Sequence, residues 1–103
     1  MKISGEIKGG ALLLSLSGEL DHHGAKEVMS SVAEIINEHV PRSCVMDFKD
    51  VGFMDSSGIA LILNVNKKIC NIGGRLRVEN VARQPMKVIR ASGIEKIVSI
   101  KEQ

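Results

Sequence analysis

Asp55-Ser56-Ser57-Gly58 is the stretch of this sequence whose residue types could do chemistry. Two adjacent hydroxyls stand beside a carboxylate, and an apolar run, Ile59-Ala60-Leu61-Ile62-Leu63, follows directly. Asp and Ser are favoured at helix starts, where their oxygens accept from the free N–H groups of the first turn. Gly58 allows a tight turn or the close approach of another chain. Capping therefore explains Asp55 and one serine with no function at all. Three chemistries compete for what remains. A nucleophile elbow has glycines two before and two after its serine. Neither Ser56 nor Ser57 is flanked that way, and His22, His23 and His39 are not placed by the sequence as a base. A mononucleotide loop of the usual kinds would show GxxxxGK[ST] or GxGxxG, and neither occurs. The third is a phosphorylation switch. A phosphoserine adds about −1.5 to −2 charges and three acceptor oxygens. A helix N-terminus tolerates that charge, so the fold survives. A partner resting on Phe53, Ile59 or Ile62 would instead meet a dianion beside Asp55.

Other reactive residues give less. Adjacent helical residues point about 100° apart, so His22 and His23 do not converge readily on one ion. A surface role at a helix start, near a partner, suits them better. Cys44 and Cys70 lack CxxC spacing and read as two buried free thiols. Charge is uneven: residues 1–50 hold five Lys/Arg against eight Asp/Glu, and residues 51–103 nine against four. The cations Lys67, Lys68, Arg75, Arg77, Arg83, Lys87 and Arg90 could face an acidic partner or a nucleotide, or be a solvated surface. That half has no aromatic residue beyond Phe53, so base stacking lacks its platform.

The elements that must position Ser57 can be read from periodicity. Lys2–Ile7 and Ala11–Ser17 alternate as strands around a Gly9-Gly10 turn. Asp21 starts a helix running to about His39, with Ala25, Val28, Met29, Val32, Ile35 and Ile36 on one stripe and Pro41 as the stop. Cys44–Phe48 is a third strand, parallel to an earlier one through a right-handed crossover. Lys49-Asp50-Val51-Gly52 reads as a turn. A second helix covers Ile59–Ile72, ended by Gly73-Gly74, and its first turns are apolar all round, hence buried or covered by a partner. A strand around Leu76–Val78, a helix with Pro85 in its first turn and Gly93 at its end, and a strand Ile97–Ile100 complete the chain. The order ββαβαβαβ implies an α/β fold: a mixed, mostly parallel sheet with helices packed on it.

At 103 residues with 44% apolar content this is a single domain, residues 1–103, with an aliphatic core, since only 2% of residues are aromatic. No apolar run approaches the ~20 residues of a membrane span, and Met1–Gly10 lacks a signal-peptide core, so a cytoplasmic chain is expected.

Phe53-Met54-Asp55-Ser56-Ser57-Gly58, following the strand Val45–Phe48, resembles the signature of the bacterial anti-sigma-factor antagonists, the STAS-domain proteins. Gly18-Glu19-Leu20-Asp21-His22-His23 is similar to that family's first strand-to-helix junction, and Gly73-Gly74 and Ala91-Ser92-Gly93-Ile94 fall at its later turns. The sporulation sigma-F branch is the most similar. The resemblance implies a non-enzymatic regulator without cofactor or metal. Its unmodified form binds an anti-sigma factor that is also a serine kinase. The kinase phosphorylates the serine before the glycine, here Ser57, and a phosphoserine phosphatase restores it. In such a family Asp55 and Ser56 lie at the contact surface with the Asp21 loop close by; with the residues around them, the expected contact surface is Asp21, His22, His23, Phe53, Met54, Asp55, Ser56, Gly58, Ile59 and Ile62. A free monomer, with no direct DNA binding and no membrane contact, is expected. Family members usually continue into a further C-terminal helix, before which this sequence stops at Gln103. The alternative is a nucleotide- or lipid-binding STAS module of a larger sensory assembly, using the Lys67–Arg90 cations.

Overall fold

Gly9 and Gly10 turn the chain between β1 (Lys2–Lys8) and β2 (Ala11–Leu20), the one antiparallel pair of a five-stranded sheet. The computed structural model describes residues 1–103. The chain then alternates through α1 (His22–His39), β3 (Ser43–Met54), α2 (Ser56–Asn71), β4 (Arg75–Val81), α3 (Arg83–Ser92), a 3-10 turn at Ile94–Lys96 and β5 (Ser99–Glu102). The ββαβαβαβ order is as expected. Strands β2 to β5 pair in parallel, in the order β1-β2-β3-β4-β5.

Each crossover steps to the next strand in the same direction. Right-handed crossovers then put all three helices on one face of the sheet. Burial follows that geometry. Leu12, Leu14 and Leu16 of β2, Cys44, Met46 and Phe48 of β3, and Leu76 and Val78 of β4 form the buried rows. The paired row Leu13, Val45, Arg77 and Ser99 lies on the other, open face. From above, α1 contributes Ala25, Val28, Val32 and Ile36, and α2 contributes Leu61, Ile62, Val65 and Ile69. No polar side chain is among the buried residues, and Phe48 is the one aromatic in the core. No helix is long and apolar enough to cross a membrane.

Three expectations need correction. Lys49-Asp50-Val51-Gly52 is not a turn; it continues β3. Pairing with Ser17–Leu20 holds it in the sheet, and two register shifts absorb the misfit, one between Ser15 and Ser17 and one between Gly18 and Glu19. Gly18 has φ 118°, a conformation that a side chain would resist. Turn-like composition thus gives way to a parallel ladder that brings Val51 and Met54 inward. The last strand starts two residues late, because the Ile97 and Val98 amides donate back to Ile94 O. Cys70 is exposed rather than buried, since Ile69 takes the core position beside it.

Cys44 is buried, and burial pushes its thiol from 9.0 up to about 12. The folded protein therefore keeps that proton. This thiol leaves stability unchanged below pH 9.0 and lowers it as pH rises from there toward 12, with a limiting slope of about 1.4 kcal/mol per pH unit. Iodoacetamide at pH 8 is expected to modify Cys70 while sparing Cys44 until the chain is unfolded. Equal rates, followed by mass spectrometry, would contradict the burial.

Candidate functional site

Two strand-to-helix junctions lie side by side. Leu20 ends β2 and Asp21 caps α1; Met54 ends β3 and Asp55 caps α2. Leu20 and Met54 are partners in the parallel ladder, and the Asp55 amide donates to the Leu20 carbonyl at 3.3 Å. Both caps use an aspartate carboxylate, Asp21 on the amide three residues on and Asp55 on the amide two residues on. Asp21 Oδ1 accepts from the Gly24 amide at 2.8 Å, and Asp55 Oδ1 accepts from the Ser57 amide at 2.8 Å. The helix starts at Ser56, three residues before the expected Ile59, so both serines lie in its first turn. Asp55 alone does the capping. Neither serine hydroxyl is needed for it, and neither makes a hydrogen bond within the chain. Ser56 is exposed and Ser57 half-buried.

Ser57 lines a groove of about 290 Å³ between the two helices, together with Ala60 of α2 and His22, Ala25, Lys26 and Met29 of α1. The glycines at both junctions permit the close packing. A Cβ on Gly24 would overlap the Glu19 carbonyl oxygen, and one on Gly58 would overlap the Met54 side chain.

The structure brings together Asp21, His22, His23, Phe53, Asp55, Ser56, Ser57 and Ile59 at this end of the sheet. His22 and His23 are exposed, and His23 Nε2 lies 3.7 Å from Glu27 Oε1. Phe53 is 42% exposed and Ile59 half-buried. Met54 and Ile62 do not present their side chains: both are 0% exposed. Met54 turns inward as the last residue of β3. Ile62 faces the sheet with Leu61, so the first turns of α2 are not apolar on a free surface all round. Gly58 is buried too and contributes closeness, not contact. The exposed apolar position on α2 is Leu63, 38% exposed and one helical turn after Ile59. Its membership of a surface strip was hidden in a run where every residue is apolar.

Gln84 was not legible as part of this site. Its Oε1 accepts from the Met54 amide at 2.8 Å and its Nε2 donates to the Met54 carbonyl at 3.0 Å. One side chain from α3 thereby holds both backbone groups of the residue before Asp55. Only a contact thirty residues away in sequence reveals it. Gln84→Leu leaves both groups without that partner and is expected to cost about 1–3 kcal/mol in urea unfolding. It should also speed hydrogen exchange at the Met54 amide. Unchanged exchange there would show that the clamp does not hold the junction.

The cations of the second half do not form one patch. Arg77 stands on the open sheet face, 3.7 Å from Glu79, whereas Arg83, Lys87 and Arg90 ride on α3. Arg90 is paired with Glu102 at 2.6 Å.

The STAS domain family matches residues 2–103. An anti-sigma F factor antagonist of Paenibacillus polymyxa is 36% identical over 100 residues, covering 97% of this chain and 86% of that protein. Among solved structures, the Bacillus cell fate determinant SpoIIAA in its phosphorylated form is 25% identical, with a TM-score of 0.71, over 96% of this chain and 90% of its own. An anti-sigma factor antagonist from Mycobacterium paratuberculosis is 20% identical, with a TM-score of 0.87, over 99% and 86% of the two chains.

Proposed function

The chain belongs to the STAS domain family, and on that premise we propose that it is an anti-sigma factor antagonist switched at Ser57. The unphosphorylated form binds an anti-sigma factor that is also a serine kinase, and so frees the sigma factor. One observation carries the choice of residue. Asp55 supplies the helix cap by itself, which leaves both serine hydroxyls without a structural task, and of the two it is Ser57 that lines the groove between α1 and α2. The names of the relatives support the class of partner.

In the switching step, Ser57 Oγ attacks the γ-phosphorus of ATP bound to the kinase. The new O–P bond forms as the bond to the β–γ bridging oxygen breaks. ADP leaves, and the hydroxyl proton goes to a base of the kinase. This chain supplies the acceptor and no catalytic group. A phosphatase hydrolyses the ester and returns the binding form. The contact surface is Asp21, His22, His23, Phe53, Asp55, Ser56 and Ile59, extended along α2 by Leu63. The domain acts as a monomer in the cytoplasm, without contacting DNA.

Incubation with the cognate kinase and ATP, followed by peptide mapping, tests the site. Phosphate is expected on Ser57 alone, and Ser57→Ala is expected to fold, bind the kinase and take up none. Undiminished phosphorylation of Ser57→Ala would overturn the assignment.

A further inference from the structure

His22, Lys26 and Met29 recur at spacings of four and three, so they form one stripe of α1, and that stripe is the wall facing Ser57 and Ala60 across the groove. Neither Lys26 nor His22 is paired with a carboxylate. Glu27, next to them in sequence, pairs instead with His23 and the N-terminal amine. The acidic groups of the junction are exposed Glu19, paired in the sheet with Phe53, and Asp21 and Asp55, whose Oδ1 atoms each accept an amide of their own helix start.

We propose that Lys26, assisted by His22, is a receiver for a phosphate carried on Ser57, and that the modified serine lies within the α1–α2 groove. This rests on the reading of Ser57 as the switched residue. The physical case is a balance of charges. The first-turn amides of α2 favour an anion at Ser57, but Asp55 and Asp21 oppose a dianion. The stem of exposed Lys26 lines the opposite wall, and its flexible ammonium can swing toward Ser57 to offset that repulsion across a groove otherwise lined by Ala25, Met29 and Ala60. The consequence is a second way of turning binding off. Besides repelling a partner, the phosphate and the Lys26 side chain fill the groove.

Phosphoserine installed at position 57 during translation, with no kinase involved, tests this directly by phosphorus NMR titration. In Lys26→Met the midpoint of the second phosphate ionisation is expected to rise by about half a pH unit relative to wild type, a roughly threefold change in the ionisation constant. His22→Gln should move it less, in the same direction, and 0.5 M salt should shrink both differences. A midpoint that is the same in wild type and Lys26→Met would overturn the receiver. That result would leave Ser57 as a phosphoacceptor untouched. Conversely, a kinase that ignores Ser57 would defeat the functional reading while the titration still reported the receiver.

Discussion

Gly24→Ala is expected to destabilise the protein by about 2–3 kcal/mol, although alanine is the better helix former by about 1 kcal/mol. The added Cβ would overlap the Glu19 carbonyl oxygen and press on Asp21 Oδ1 and Met1 Cβ, both at 3.3 Å. The Glu19 carbonyl cannot retreat cheaply. Glu19 and Leu20 are paired with Phe53 and Met54, and Leu20 O also holds the Asp55 amide. A shift at the first junction is therefore passed to the second. Urea unfolding measures the loss, with Gly52→Ala as the control, because a Cβ there meets nothing within 4 Å. Gly58→Ala should cost a comparable amount, since the obstacle is the Cγ of the fully buried Met54 side chain, with Leu20 Cδ2 at 3.1 Å beside it. Equal stability of Gly24→Ala and wild type would show that the two junctions are not packed as described.

The second large effect is on binding. Ser57→Asp is expected to keep its fold and its unfolding midpoint to within about 1 kcal/mol, because a carboxylate in the first helical turn is favoured by the dipole. Its affinity for the anti-sigma partner should fall about 100-fold, close to 2.8 kcal/mol. The reason is the placement of the charge. It sits beside Asp55, in a groove with an apolar floor, where a docked partner must strip its water. Circular dichroism and calorimetry on the same sample separate the two quantities. If Ser57→Asp unfolds, the hydroxyl has a structural task after all. If it binds as tightly as wild type, charge at this position is not what releases the partner.

Much of this molecule is readable from periodicity because its elements are strongly patterned. The stripe Ala25, Val28, Val32, Ile36 gives α1 and its buried face, and Asp21 and Pro41 mark its ends. The alternation of Leu12, Leu14 and Leu16 gives the buried row of β2. What periodicity misses is set by pairing across the sheet or by contacts far apart in sequence. Asp50-Val51-Gly52 has the composition of a turn, yet parallel pairing with β2 keeps it extended. The run from Ile59 to Leu63 is apolar throughout, so composition cannot say that Leu61 and Ile62 are core while Leu63 is surface. The roles of Asp55 and the serines were undivided for the same reason. All three residue types cap helices, and only the hydrogen bond from the Ser57 amide assigns the cap to Asp55. The Gln84 clamp and the Lys26 wall belong to elements distant in sequence from Ser57, and no local motif announces either.

The most direct measurement is the affinity of one preparation for the anti-sigma partner at three stages: unmodified, stoichiometrically phosphorylated at Ser57, and dephosphorylated again. Tight binding, a loss of at least about 100-fold with unchanged circular dichroism, and full recovery are the predicted results. Retention of tight binding by the Ser57-phosphorylated form, with the phosphate confirmed in place, would contradict Ser57 as the switch.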